Sequence, residues 1–154
     1  MNEKYMKIAL KEAIKSYKKG EVPIGCVIVY KNKIIAKAHN LKEKKKNSLY
    51  HAELIAINKA TKKIKNWRLD ECDIYVTMQP CPMCASAIKQ SRISNIYYGV
   101  SNENNNLSNM IFEEINNNKK VNVYDSILEK ECKKIVQEFF NKQRKITKKW
   151  YLML

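Results

Sequence analysis

Over residues 3–18 the apolar side chains Tyr5, Ile8, Ala9, Ala13, Ile14 and Tyr17 recur at helical spacings among lysines. This pattern predicts an amphipathic helix ended by Gly20 and Pro23. Residues 24–30 are a continuous apolar run rich in β-branched side chains, residues 34–38 are another, and Lys31-Asn32-Lys33 between them supplies a turn, so the segment predicts a hairpin. A polar stretch over 41–50 reads as a loop. Helical spacing returns at Ala52, Ile55, Ala56 and Ala60 and runs to about residue 64. A strand is predicted over 73–78, a helix from Cys81 to about residue 90 and a strand over 93–100. Residues 101–120, rich in Asn, give the weakest pattern: a loop around a short helix over about 109–115. A brief strand over 121–124 precedes a long helix marked by Ile127, Leu128, Cys132, Ile135, Val136, Phe139 and Phe140, and a basic tail begins near residue 142.

Strands alternating with helices after an opening hairpin predict an α/β protein, a three-layer α/β/α sandwich around a central mixed five-stranded sheet. Neither a repeat nor a linker interrupts the 154 residues. The expectation is a single domain over 1–154, large enough to bury a core without covalent staples.

Composition narrows the partners. No apolar run approaches the roughly 18 residues of a membrane span, and the N-terminus is charged, so export and membrane insertion are not expected. Five cysteines read as reduced thiols of a cytoplasmic protein. The net charge of +15 points to a polyanion, most simply nucleic acid. The basic residues are 27 Lys and 3 Arg beside abundant Asn, so compositional bias competes as an explanation of the excess. The field attracts RNA at low salt in either case. Lys42, Lys44, Lys45 and Lys46 crowd the loop before His51. Such a run is ordinarily a solvated loop, but here it makes Lys44, Lys45 and Lys46 candidates for a phosphate backbone.

The candidate chemistry lies in Pro80-Cys81-Pro82-Met83-Cys84 and His51-Ala52-Glu53. Cys81 and Cys84 fall at a predicted helix start, where unpaired N–H groups and the helix dipole favour thiolates. Residues i and i+3 lie about 60° apart around the axis, so both sulfurs reach one ion. Pro80 and Pro82 suit a first turn that has no partner for the missing N–H. One imidazole and two thiolates make three ligands. A structural zinc takes four protein ligands, whereas three with an open position is the catalytic pattern. The alternative is a structural site closed by Cys26, Cys72 or Cys132, cysteines that otherwise read as small apolar fillers. Glu53, two residues after His51, points to another side of the helix, which suits a proton carrier better than a ligand.

H-x-E followed by P-C-x-x-C is the signature of the zinc-dependent nucleobase deaminases. Further segments extend the match: Glu21-Val22-Pro23-Ile24-Gly25, Ala38-His39-Asn40, Trp67-Arg68-Leu69, Tyr75-Val76-Thr77, Ser91-Arg92-Ile93, Tyr98-Gly99, and Glu131-Cys132 through Phe139-Phe140 and Arg144. With these the chain resembles the bacterial-type tRNA-specific adenosine deaminases of the cytidine deaminase-like superfamily, over roughly nine-tenths of its length. The resemblance implies a cytidine deaminase-like fold and a homodimer that deaminates adenosine to inosine at the wobble position, 34, of a tRNA anticodon stem-loop. It implies one Zn2+ per chain on His51, Cys81 and Cys84, with Glu53 as proton shuttle. Asn40 would hydrogen-bond the flipped base and Ala52 line its pocket. Asn102, Phe139 and Arg144 join Lys44, Lys45 and Lys46 as RNA-contact candidates.

The chain departs from that family's pattern at three places. Gln79 stands where Glu usually precedes Pro-Cys, which keeps hydrogen bonding but alters the charge beside the metal. A Gly-rich loop after Tyr-Gly is replaced by residues 101–109, with Asn102 at a common Asp, so weaker discrimination between ribose and deoxyribose is expected. An Asn-His pair before Val121 is missing. Two rival functions remain: a cytosine, guanine or nucleotide deaminase acting on a small molecule, and a non-catalytic RNA-binding subunit, for which Glu53 would have no use.

Overall fold

The computed structural model describes residues 3–114 and 119–154. In chain order the elements are α1 (Glu3–Lys18), β1 (Gly25–Tyr30), β2 (Lys33–His39), α2 (Lys42–Lys45), α3 (Ala52–Ile64), β3 (Cys72–Met78), α4 (Pro82–Gln90), β4 (Asn95–Val100), a 3-10 turn (Glu103–Asn105), α5 (Asn106–Glu113), β5 (Asn122–Tyr124) and α6 (Glu129–Met153). The sheet runs β2-β1-β3-β4-β5. β1 pairs antiparallel with β2 and with β3, whereas β3–β4 and β4–β5 are parallel. This is the expected mixed five-stranded sheet. The hairpin turn sits at Lys31 and Asn32, both at positive φ, the two-residue geometry that matches the twist of paired strands.

The period of two along β1 divides the core. Val27 and Val29 join Tyr5, Met6, Ala9, Tyr75, Ile127 and Cys132 beneath α1 and α6. Cys26 and Ile28 face the other way, toward Ala52, Ala56 and Ala60 of α3, Ala85 and Ile88 of α4 and Phe112 of α5. Small side chains on α3 bring its axis close to the sheet, and that places the helix N-terminus at the carboxyl end of the parallel strands, where α/β proteins build their sites.

Gly25 marks the closest approach of α1. A Cβ there would lie 1.8 Å from the Ala9 carbonyl oxygen and 2.6 Å from the Ala13 nitrogen, both rigid backbone atoms. Gly25→Ala is therefore expected to cost ~3 kcal/mol, the upper end of overpacking penalties. At roughly 2–4 °C per kcal/mol for a chain of this size, that lowers Tm by about 6–12 °C in calorimetry. An unchanged Tm would show that α1 does not seat on β1 as described.

Three readings change. The stretch over 41–50 contains the short helix α2, and α5 begins at Asn106, before the expected 109. Ile115, the expected end of that helix, lies outside the described residues. The basic end is no tail, because α6 continues through Arg144 to Met153. Among the described residues no helix is long and apolar enough to cross a membrane.

Candidate metal centre and active site

Two helix N-termini converge. His51 is the N-cap of α3 and Cys81 the N-cap of α4, both in extended backbone, with Pro82 in the first turn of α4. His51 Nδ1 stands 3.5 Å from Cys84 Sγ and 3.8 Å from Cys81 Sγ. The three ligand atoms all lie within 4.8 Å of one another. A nitrogen and a sulfur sharing one tetrahedral zinc, at bond lengths near 2.0 and 2.3 Å, stand about 3.5 Å apart. The spacing and the donor set fit that ion.

No fourth His, Cys, Asp or Glu joins the cluster among the described residues. Cys26, Cys72 and Cys132 are free, buried thiols. Cys26 packs in the core facing α3, Cys72 opens β3, and the Cys132 sulfur fills the space above Gly99, 2.3 Å from where a Cβ would be. The site thus keeps one corner for something other than these side chains.

Its electrostatics suit a cation. The Cys81 thiol is pulled down to about 4 by a hydrogen bond from Cys84 and a further one from His51, against the cost of burial. Cys84 is pushed up, first by that same hydrogen bond and then by burial, so the two thiols oppose each other's ionisation in a site that a cation would relieve. His51 is raised by its hydrogen bond to Cys81.

Glu53 lies in the first turn of α3 and is 3% exposed. Burial raises its carboxyl to about 7. Its Oε2 is, among the described residues, the one fully buried side-chain oxygen or nitrogen with no hydrogen-bond partner. Native proteins pair such atoms, so this oxygen is built to meet a ligand.

Asn40 and Ala52 adjoin the metal ligands. Asn40 Oδ1 accepts from the Ala52 N–H at 2.8 Å, and Ser16 Oγ donates to the Asn40 carbonyl at 2.9 Å. Lys44 and Lys45 end α2, Lys46 follows in a left-handed turn, and all three are exposed. Their mounting was not legible in the sequence. The buried Glu21 carboxylate accepts from the backbone N–H groups of Glu43 at 3.1 Å and Lys44 at 2.7 Å, fastening α2 from 22 residues upstream.

Other candidates are placed differently from expectation. The Asn102 side-chain oxygen accepts from the Asn104 N–H at 3.1 Å and so caps the 3-10 turn. Phe139 is 6% exposed and meets Tyr17 edge-on with ring centroids 6.1 Å apart, which removes it as a stacking surface for RNA. Its neighbour Phe140 is the exposed ring, at 41%. Arg144 is exposed on α6, away from the His51 cluster in sequence and on a different element.

The sequence profile of the MafB19-like deaminases matches residues 1–144. A tRNA-specific adenosine deaminase of Bacillus subtilis is 43% identical over 148 residues, 94% of this chain and 91% of that protein. The fold superimposes with a TM-score of 0.80 on a structure from studies of A-to-I editing by tRNA:A34 deaminases at the wobble position of transfer RNA, at 32% identity over 86% of this chain and 98% of that one. A guanine deaminase from Bacillus subtilis superimposes at 0.62, with 34% identity over 66% of this chain and 65% of its own. With the ligand triangle, the buried carboxylate and near full-length matches in agreement, the chain belongs to the tRNA-specific adenosine deaminases.

Proposed function

We propose that this chain is a zinc-dependent hydrolase that converts adenosine to inosine at the wobble position, 34, of a tRNA anticodon, acting as a single-domain cytoplasmic homodimer. The observation that carries the chemistry is the partnerless Oε2 of Glu53 beside three converging ligand atoms. The near full-length likeness to tRNA-specific deaminases carries the substrate.

His51, Cys81 and Cys84 hold one zinc per chain, which supplies a Lewis acid that makes water a nucleophile near neutral pH. Glu53 moves the protons. It takes one from the attacking water and delivers it to the ring nitrogen beside C6. It then carries the second to the departing amine, so that water and adenosine become inosine and ammonia. A carboxyl raised to about 7 by burial can both hold and release a proton at that pH. The Ala52 N–H fixes the orientation of the Asn40 amide, leaving Nδ2 as the donor toward the base, and Ala52 lines the pocket. Lys44, Lys45, Lys46 and Arg144 meet phosphates, and the unpaired anticodon loop releases its base at little unstacking cost.

The small-molecule reading draws on the likeness to the guanine deaminase of Bacillus subtilis, 34% identical over 66% of this chain. It leaves the exposed lysines of α2 without a task. The deciding experiment incubates the zinc-loaded protein with anticodon stem-loops carrying A34 and, separately, with guanine, cytosine and free nucleosides. Inosine in the RNA by mass spectrometry is expected. Ammonia from a free base, with no inosine in any RNA, would overturn the assignment.

A further inference from the structure

Cys81 reaches the cluster through an unusual approach. The residue before it is a proline, and no side chain caps α4 at Cys81. The strand-to-helix junction must therefore be held by other atoms. They come from the Asn-rich segment after β4, where the hydrophobic pattern is weakest. Gln79, two residues before Cys81, is 4% exposed. Its Oε1 accepts from the Asn102 N–H at 2.9 Å, and its Nε2 donates to Asn109 Oδ1 at 3.1 Å and to the Asn105 carbonyl at 3.3 Å. Asn105 Nδ2 donates back to the Gln79 carbonyl at 3.2 Å, and Ser108 Oγ donates to the Pro80 carbonyl at 2.7 Å. The Gln79 N–H donates to the Val100 carbonyl at 2.8 Å. Both peptide carbonyls ahead of Cys81 and the whole Gln79 amide are thus bound to residues 100–109.

We propose that Gln79, with Asn105, Ser108 and Asn109, forms a brace that positions Cys81 for the metal, with Gln79 as its centre. The brace rests on the metal reading above. In this chain, where residues 101–109 replace the loop that accompanies the usual Glu, it requires an amide at residue 79. A carboxylate would still accept from the Asn102 N–H, but its second oxygen would face the Asn105 carbonyl oxygen, a backbone group that cannot turn to donate. Asn109 can turn its amide, so the conflict centres on residue 105. Buried polar networks with one member mismatched lose more than the single hydrogen bond, because the atoms left behind stay out of water. The consequence falls on the placement of the adjoining ligand, and supporting contacts around metal ligands typically set 10–100-fold in affinity.

The test compares wild type, Gln79→Glu, Asn109→Ala and Val121→Ala. Val121 is buried near this segment and takes no side-chain part in the brace, so its truncation controls for lost stability. Zinc Kd is read by competition with a chromogenic chelator, and site geometry by the absorption bands of the Co2+-loaded protein. Gln79→Glu is expected to weaken zinc roughly 10–100-fold and to shift the cobalt bands. Asn109→Ala should move both in the same direction by less, and it serves in place of Gln79→Glu if that variant does not fold. Val121→Ala should lower Tm with both metal readouts unchanged. Wild-type affinity and cobalt bands in the folded Gln79 or Asn109 variants would overturn the brace. A Val121→Ala variant that loses metal equally would do so too, by reducing the effect to general stability. Failure of the wild type to bind zinc or cobalt would instead strike the metal reading, and the brace with it.

Discussion

Glu53→Gln is expected to slow inosine formation by ~10²–10⁴-fold, the range supplied by a positioned general acid and base, while the protein keeps one zinc per chain and its affinity for RNA. The substitution preserves shape in a buried position and replaces an oxygen that exchanges protons with an amide that does not. Zinc content should hold because the carboxylate lies outside the ligand cluster of His51, Cys81 and Cys84. Stability of the zinc-free protein should hold or rise. Without the ion, burial raises the Glu53 carboxyl above the usual carboxylate range, so folding works against its ionised form, and an amide removes that opposition. Single-turnover conversion of an A34 stem-loop, metal analysis and calorimetry on the same sample separate the effects. Near wild-type turnover removes Glu53 from the mechanism. Loss of zinc makes it part of the metal site instead.

The parts of the molecule legible in the sequence are those whose cause is local. The opening hairpin follows from two apolar runs around a short turn, α3 from alanines at helical spacing, and the ligand set from i and i+3 on one helix start. What was not legible depends on partners far away or on packing between near-equivalent neighbours. Phe139 and Phe140 are adjacent and alike, and it is the fold that sets Phe139 against Tyr17 of α1 and leaves Phe140 exposed. Glu21 gave no sign of its role, because the N–H groups it receives are 22 and 23 residues later. Residues 101–109 read as a loop since side-chain to backbone hydrogen bonds leave no hydrophobic period, yet these residues hold the turn before Cys81. The end of α6 has long basic side chains that favour helix, but few apolar contacts to announce it, and the charge run read as a tail.

Zinc should also be visible as folding free energy. A ligand that binds only the native chain stabilises it by RT ln(1 + [L]/Kd), about 4.1 kcal/mol at a free concentration 1,000 times Kd. For a chain of this length roughly 2–4 °C accompanies each kcal/mol, so restoring zinc to chelator-stripped protein is expected to raise Tm by about 8–16 °C. The stripped protein should still fold, since Ile28, Ala56, Ile74, Ala85, Ile88 and Ile96 bury a core of their own on that face of the sheet. Cys84→Ser is isosteric and removes one of the three ligands. It should melt close to the stripped wild type, and added zinc should shift it by no more than a small fraction of the wild-type amount, with turnover lost in parallel. Calorimetry of both proteins with and without zinc makes the comparison. A full zinc-dependent shift in Cys84→Ser would mean that the ion binds through another set of atoms. Equal Tm values for stripped and loaded wild type would mean that His51, Cys81 and Cys84 hold no zinc at all.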